Sequence, residues 1–376
     1  MTNNELTLTI IDRNTVSAIR TGGAQNVSQK MQFDDLRLAT IHIFEDWLSK
    51  GKITKSNELE VLGSHLYKGL FFEQESFFVD ALKEAREAKQ HLCVRLQFGK
   101  DAEELSRLPW EYLYRPGTDT SQGFFLSTDV NLVLARYMPL GSGSSSPLKP
   151  QERMRVLIVI SEPTELGPVA AIPVVDAIKR LVEKYRYPID FFELNKPTIE
   201  SFLDELQKGP HVLHFIGHGR YKREKIGEIA LLKPDKSSVE WCPDKTFAEY
   251  FRRVDECPRL VFLHLCQSAL SDDLGAFTAN FAALAPQLIL ANIQAVVAMQ
   301  HPIANEAAIS FCRAFYRNLA EGKPIDDAVQ AGRAQIITSD PNAYDTRVFG
   351  TPVLYIRRSD SIVQPMGKAL ERKGSI

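Results

Sequence analysis

The sequence predicts an α/β protein with a mostly parallel sheet that helices cover on both faces. In the second half of the chain, apolar runs rich in β-branched residues alternate with amphipathic stretches whose apolar residues recur every three or four positions. The strand-like runs lie at 155–160, 188–194, 211–217, 259–265 and 295–300. The helix-like stretches lie at 170–185, 198–208, 305–322 and 324–337, and a final strand is expected within 347–356. Such alternation favours parallel pairing, so ligands are expected at the carboxyl ends of the strands.

The first half of the chain is also of mixed α/β character, without a cluster of reactive side chains. Strands are predicted near residues 6 and 91 and at 108–114 and 131–138, and helices over 33–49 and 57–88. GSGSSSPLKPQ at 141–151 is rich in Gly, Ser and Pro and cannot bury apolar surface. We therefore predict four parts: an N-terminal scaffold at 1–140, a linker at 141–153, a second unit at 154–358 and a charged tail at 359–376.

Composition and charge exclude several classes of protein. The 376 residues are 44% hydrophobic, enough for one large or two modest cores. Lys and Arg number 45 against 47 Asp and Glu, so no overall field favours nucleic acid or an anionic membrane. The start lacks a signal-peptide pattern, and no run of about 18 apolar residues occurs, which predicts a soluble protein with no membrane partner. Five scattered cysteines without a C-x-x-C pair predict neither disulfides nor zinc and fit the cytoplasm.

A histidine and a cysteine follow two of the predicted strands. HVLHFIGHGRY places His218 just beyond a strand and between two glycines, and RLVFLHLCQSAL places Cys266 at the end of the next strong strand. Both can therefore emerge at one edge of the sheet. A thiol with a pKa near 8.5 is mostly protonated at neutral pH, and a nearby imidazole can take its proton. The pattern indicates a Cys–His dyad, with the backbone amides of Gly219 and Cys266 as candidate donors to an oxyanion.

These residues resemble a known family. H-F-x-G-H-G, followed by apolar-x-C-x-S, VVAMQ, FYRNLAEG and a terminal FGTPVLY, is similar to the CHAT domain, a branch of the caspase and separase peptidases. The likeness reaches back to LYKGLF at 66–71 and to LPWEYLY. It implies a caspase-like fold, His218 and Cys266 as the catalytic pair, and a first half that is a degenerate caspase-like region or a scaffold. It also implies a bacterial effector peptidase, with a role in defence, that a protein partner or signal switches on.

Other side chains are candidates for substrate binding. Glu162, after the first strand of the second unit, and Asp272 and Asp273, after the cysteine, could offer a carboxylate to a basic substrate side chain. The same three residues are more typical of a solvated loop, because charged loop residues are usually just exposed. His301 follows the strand at 295–300 and could line the cleft. His264 stands where caspases have Gln in their Q-A-C motif, so the resemblance does not support cleavage after Asp.

The spacing of His214 and His218 argues against a metal site. His214 lies four residues before His218, and on a strand the two would be about 13 Å apart at about 3.3 Å per residue, too far for one ion. We interpret His214 and His264 as hydrogen-bonded structural residues. No metal and no cofactor are expected.

Three functions remain open from the sequence. The leading hypothesis is a cysteine endopeptidase that cleaves a protein substrate through a thioester acyl-enzyme. The alternative is a catalytically silent interaction module with the same fold. The third is an acyl hydrolase or transferase that uses the same dyad and is not a peptidase.

Overall fold

A computed structural model describes residues 4–20, 27–119, 121–139, 153–169, 171–222, 226–267, 277–357 and 363, with the backbone alone at 27, 221–222, 266–267 and 277–283. Most of the predicted linker at 141–153 and of the predicted tail at 359–376 lies outside these ranges. Asp272 and Asp273 lie outside them as well. In the described ranges, no helix is long and apolar enough to cross a membrane.

The first half of the chain forms a sheet packed against long amphipathic helices. Its strands are β1 Asn4–Ile10, β2 Thr15–Arg20, β3 Val27–Lys30, β4 Leu92–Phe98, β5 Tyr114–Arg115, β6 Phe124–Phe125 and β7 Leu132–Tyr137. Its helices are α1 Asp35–Ser49, α2 Ser56–Leu70, α3 Glu75–Glu87 and α4 Glu103–Ser106. Apolar residues of α2 recur at helical spacing and are buried (Leu59, Leu62, Leu66 and Leu70). They pack with β1 and β4 in one core.

The second half contains the strands that the sequence predicts and two more. The strands are β8 Met154–Ile160, β9 Ile189–Asn195, β10 Val212–Lys222, β11 Ile226–Leu232, β12 Val239–Pro243, β13 Leu260–Gln267, β14 Ala295–Met299 and β15 Pro352–Ile356. The helices are α5 Ala171–Tyr185, α6 Ile199–Gln207, α7 Asp244–Arg252, α8 Phe277–Leu290, α9 Asn305–Ala320 and α10 Ile325–Ser339.

Helices cover both faces of the second half of the sheet. β9, β8, β10, β13 and β14 are parallel neighbours in that order. One face packs against α5, α9 and α10, and the other packs against α6, α7 and α8. The alternating residues of each strand therefore enter two separate cores. This arrangement confirms the predicted α/β class with a mostly parallel sheet.

One sheet runs through both halves of the chain. β15 pairs antiparallel with β14 and parallel with β7, which continues to β4, β1, β2 and β3. Arg333 of α10 is fully buried at this junction. Its guanidinium donates to the carbonyl oxygens of Pro352 in β15 and Leu134 in β7. The division into units at 1–140 and 154–358 stays a prediction, whereas the sheet itself is continuous across it.

The predicted strand at 108–114 is wrong. Trp110–Tyr112 forms a 3₁₀ turn, and β5 begins only at Tyr114. Pro109 precedes the turn and has no N–H for a ladder, while the indole of Trp110 donates to the carbonyl oxygen of Leu105 over 2.7 Å. A turn with buried side chains has the same apolar composition as a buried strand, so composition alone could not distinguish the two.

Candidate active site

His218 and Cys266 are register partners on the adjacent parallel strands β10 and β13. Neighbouring strands lie about 4.8 Å apart, and register partners of a parallel pair occupy the same face of the sheet. The pairing starts at Val212 with Leu260 and reaches Gly219 with Gln267, so the two positions lie near its end. The backbone thus brings the two predicted dyad positions side by side.

His218 lies within a strand, so its predicted position just beyond a strand is wrong. Pairing of β10 with β8 ends at Ile216, but β10 continues to Lys222 because β11 pairs antiparallel with its last residues. β12 then pairs with β11. The apolar run IGEIALL at 226–232 is the sequence signal that could have revealed this extension. His218 therefore stands where the parallel sheet ends and a three-stranded antiparallel extension begins.

The imidazole of His218 is buried and held by one hydrogen bond. Its Nε2 lies 3.0 Å from the carbonyl oxygen of Gly167. A carbonyl oxygen can only accept, so Nε2 carries the proton and Nδ1 has a free lone pair. Nδ1 is buried, and none of the described groups hydrogen-bonds to it. The side chain is thus an oriented base with Nδ1 available to accept a proton.

The loop that supplies the Gly167 carbonyl follows β8 and is fixed at several points. Gly167 has φ +78° and ψ 176°, a conformation essentially restricted to glycine. An oxygen of Glu162 accepts from the amide of Val169 over 2.9 Å. The amide of Thr164 donates to the carbonyl oxygen of Ser237 over 3.0 Å, which ties the loop to the turn between β11 and β12. Glu162, predicted as a substrate-binding residue, therefore holds the loop that orients His218.

Burial lowers the pKa of His218 below its ordinary value of about 6.5. The hydrogen bond to Gly167 and the negative charge of Glu162 oppose this effect and raise the pKa in part. The balance favours a neutral imidazole at neutral pH, which is the form that can accept a proton.

The predicted oxyanion donors are neighbours in the sheet. Gly219 pairs with Gln267, the residue after Cys266, and also with Ile229 of β11. The amides of Gly219 and Cys266 therefore belong to positions of two adjacent strands that are offset by one residue in register. They remain candidates for that role.

Two further histidines lie on the same face, deeper in the sheet. His214 is fully buried, stacks on Phe262 with ring centroids 4.2 Å apart, and shares a hydrogen bond of 3.0 Å between Nδ1 and the hydroxyl of Tyr316. Burial lowers the pKa of His264 to about 4 and that of His214 well below its ordinary value. Both rings are therefore neutral. Among the described residues, no group of three or more His, Cys, Asp or Glu side chains could hold a metal ion.

His301 packs against the first half of the chain. It is 1% exposed, its ring centroid lies 6.3 Å from that of Tyr112, and burial lowers its pKa to about 3. Neither ring nitrogen has a hydrogen-bond partner among the described residues. The neighbouring Gln300 donates to a carboxylate oxygen of Glu111 and to the carbonyl oxygen of Gly350. His301 is thus part of the contact between the two halves, and its place in the cleft stays a prediction.

Gly167 is the residue at this site that the sequence analysis missed. Its contribution is a backbone carbonyl, which any residue type can supply, so residue identity alone carries no signal for it. A glycine in the loop after the first strand of a parallel sheet is only a weak indication.

Comparisons with solved structures address the fold of the chain, and a family model addresses its family. The solved structures with a similar fold include the separase–securin complex of Saccharomyces cerevisiae (TM-score 0.52, 10% identity), which covers 94% of this chain and 30% of the separase chain. They also include the Arg-specific cysteine proteinase gingipain R (TM-score 0.43, 10% identity), with 96% of this chain and 78% of that chain covered. The complex of the pro- and mature domains of Porphyromonas gingivalis RgpB has a TM-score of 0.40 at 10% identity, with 96% and 80% covered.

The separase match supports a caspase-like fold, although this chain spans less than a third of the separase chain. A search of curated proteins found no significant match in sequence. The family model of the CHAT domain, in contrast, matches residues 62–355, which is most of the chain. The chain therefore belongs to the CHAT domain family.

Proposed function

We propose that the chain is a cysteine endopeptidase in which Cys266 is the nucleophile and His218 is the general base. The observation that carries the proposal is the register pairing of these two residues, together with the hydrogen bond that fixes Nε2 of His218 on Gly167. A base oriented in this way, next to a cysteine on the same face of the sheet, is the arrangement that thiol activation requires.

The reaction has two stages, acylation and deacylation, and in each of them Nδ1 of His218 takes up one proton and gives one up. Nδ1 takes the thiol proton of Cys266, and the thiolate attacks the peptide carbonyl carbon while the amides of Gly219 and Cys266 stabilise the oxyanion. The C–N bond breaks, the amine leaves with the proton from Nδ1, and a thioester remains. Water then gives a proton to Nδ1 while its oxygen attacks the thioester carbon. The C–S bond breaks, the acid leaves, and the thiolate takes the proton back from Nδ1 to restore the thiol.

The substrate in this proposal is another protein, and a protein partner or signal releases the activity of a bacterial effector. Membership of the CHAT family supports this assignment. The separase structure is a complex with a second protein, securin, which is consistent with control by a partner. Among the cysteines whose side chains the structure describes, Cys242, Cys257 and Cys312 are free thiols, which supports a reducing compartment such as the cytoplasm.

Labelling with a thiol-reactive peptide electrophile tests the dyad. Intact-mass measurement of wild type should find one added group, and Cys266→Ala should remove it. His218→Ala should slow labelling by about a hundredfold or more, the usual contribution of a general base. Cys257→Ala is the matched control because Cys257 is a free, half-buried cysteine outside the site, and its loss should change nothing. Labelling that persists in Cys266→Ala would contradict the proposal.

A second measurement separates the three candidate functions. Wild type and Cys266→Ala are incubated with a mixed peptide library and with an activated ester, with and without candidate partner proteins. Peptide cleavage that depends on Cys266 supports the endopeptidase, whereas ester hydrolysis alone supports an acyl hydrolase. Labelling without turnover of either substrate supports the silent interaction module.

A further inference from the structure

The strand that carries His218 continues past it and forms one wall of the candidate site. His218 and Arg220 are two residues apart in β10, so they lie on the same face of the sheet, about 6.6 Å apart along the strand. Arg220 pairs in register with Glu228 of β11. Trp241 of β12 pairs with Ala230, which is two residues along β11 from Glu228 and on the same face. The antiparallel extension thus collects Arg220, Glu228 and Trp241 beside the candidate base.

The guanidinium of Arg220 is held on two sides. Its central carbon lies 4.0 Å from the ring centroid of Trp241, so the ring covers one face of the planar group. Its Nε donates to a carboxylate oxygen of Glu228, whose side chain is 5% exposed. A buried carboxylate and an aromatic face together remove most of the rotational freedom of a long, flexible side chain.

The outer edge of this guanidinium remains open. The Arg220 side chain is 31% exposed even though its Nε is bonded and one face is covered. The Nη groups donate no hydrogen bond to any described residue. A fixed guanidinium with free N–H groups matches the planar, two-oxygen geometry of a carboxylate, and bonds of this charge-assisted kind are about twice as strong as neutral ones.

We infer that Arg220, oriented by Trp241 and Glu228, is the anchor of a substrate subsite for an acidic side chain. The inference rests on the proposed function, because it assumes that a peptide lies across the dyad. An extended peptide advances about 3.3 Å per residue, so the 6.6 Å between His218 and Arg220 corresponds to about two residues. The structure thus assigns a preference for Asp or Glu about two residues from the scissile bond.

A purely structural role explains the cluster less well. A salt bridge that only stabilises the extension would leave the pair at the surface or bury both partners. Here the carboxylate is buried, the indole covers one face of the guanidinium, and the open edge lies on the face of the sheet that carries His218. Glu228 and Trp241 are therefore positioning residues for Arg220.

Matched peptides test this subsite. A cleavable sequence from the peptide library is synthesised in pairs that differ only by Glu against Gln at each of three positions on either side of the scissile bond. Wild type should favour Glu about tenfold or more in kcat/KM at one position, the factor expected for one charge-assisted hydrogen bond. Arg220→Gln should remove that preference by lowering kcat/KM for the Glu peptide about tenfold. Arg220→Lys should retain a reduced preference because lysine keeps the positive charge but lacks the planar set of N–H donors of a guanidinium.

Controls keep the failures distinguishable. Arg153→Gln removes an exposed arginine that is paired with Asp190 far from the site, and it should leave the preference intact. If Arg220→Gln does not fold, Trp241→Phe and Arg220→Lys provide the same comparison, since each weakens the anchor and preserves its charge. Cleavage with equal rates on Glu and Gln peptides, or an unchanged preference in Arg220→Gln, overturns the subsite alone. Absence of any cleavage by wild type with every partner overturns the proposed function and the subsite with it.

Discussion

Nε2 of His218 donates a hydrogen bond to the carbonyl oxygen of Gly167 over 3.0 Å. This contact joins the end of the parallel sheet to the loop that follows β8. It decides which nitrogen of the ring carries the proton, and it leaves Nδ1 as the basic atom on the side chain that neighbours Cys266 in register. The orientation of the base therefore depends on the backbone of a single glycine.

Gly167→Ala is expected to impair the candidate site without disrupting the core. Apart from its two neighbours in the chain, no described residue has an atom within 4 Å of a Cβ added at Gly167, so the substitution introduces no clash with them. The backbone at φ +78° is nevertheless strained for alanine, by about 1 to 3 kcal/mol, and the loop should relax and move the carbonyl away from His218. The rate at which the peptide electrophile labels Cys266 should fall about tenfold or more.

Gly51→Ala is the control for this substitution. Gly51 also has a positive φ of +63°, and a Cβ there would meet only ordinary contacts with Arg347. It should lose comparable stability in chemical denaturation and keep the wild-type labelling rate. Equal labelling rates for Gly167→Ala and wild type would show that the carbonyl of residue 167 does not orient the base.

The titration of His218 should occur below pH 6.5. Burial lowers its pKa, and the charge of Glu162 raises it in part, so Glu162→Gln should lower the pKa further while an amide oxygen still accepts from Val169. NMR titration of the ring protons in Cys266→Ala avoids coupling to the thiol. His42 provides an internal reference, because its hydrogen bond to Glu45 raises its pKa. A His218 midpoint at or above 6.5 would contradict the expected burial.

Sequence patterns predict most of the sheet and both members of the candidate dyad. The apolar runs that become β8, β10, β13 and β14 are continuous because these strands are buried on both faces, whereas β9 is an edge strand and is partly exposed. Cys266 and His218 follow such runs, and parallel pairing at equal register then brings their positions together. Local sequence is sufficient wherever the function of a residue follows from its side chain and its place on a strand.

Partners that are distant in sequence explain what the sequence did not reveal. The role of Gly167 lies in its carbonyl, and the role of Arg220 depends on Trp241, 21 positions later in the sequence. In the stretch predicted as a strand at 108–114, Glu111 lies in a turn and binds Arg136, 25 positions later in the sequence. These contacts form only when the sheet assembles, so periodicity in a short window cannot show them.

The ion pair between Glu111 and Arg136 is expected to be critical for stability. The two side chains are 2% and 5% exposed, and Arg136 donates to both carboxylate oxygens over 2.8 and 3.1 Å. Removing one charge leaves the other buried and unpaired, so Glu111→Gln should lower the free energy of unfolding by about 3 to 5 kcal/mol. Urea denaturation should show this loss, and Glu111→Gln combined with Arg136→Met should cost less than the sum of the two single changes.

The exposed pair Lys83 and Glu87 on α3 is the control for the buried pair. Its atoms are 4.0 Å apart, and both side chains are more than half exposed. Glu87→Gln should change the free energy of unfolding by no more than about 0.5 kcal/mol. A loss equally small for Glu111→Gln would show that the buried ion pair between Glu111 and Arg136 is not critical for stability.

Asp326 is expected to make the stability of the protein depend on pH. It lies in the first turn of α10 next to Cys93 of β4, and burial and the charge of Asp327 raise its pKa to about 6, from an ordinary value of about 3.9. The folded state therefore binds a proton at Asp326 more tightly than the unfolded state does, so the contribution of Asp326 to stability is greatest below about pH 4 and is lost as pH rises from about 4 to about 6. Asp326→Asn cannot ionise and should not show this fall.

Denaturation of wild type and Asp326→Asn at pH 4 and pH 7 measures the effect. From pH 4 to pH 7, the free energy of unfolding of Asp326→Asn should rise by up to about 3 kcal/mol relative to that of wild type. One unit of pKa corresponds to about 1.4 kcal/mol. The exposed Asp255→Asn should shift stability by less than about 0.5 kcal/mol at either pH. An equal dependence of stability on pH in wild type and Asp326→Asn would contradict the prediction. It would mean that water reaches the carboxyl of Asp326, because a solvated carboxyl keeps its ordinary pKa.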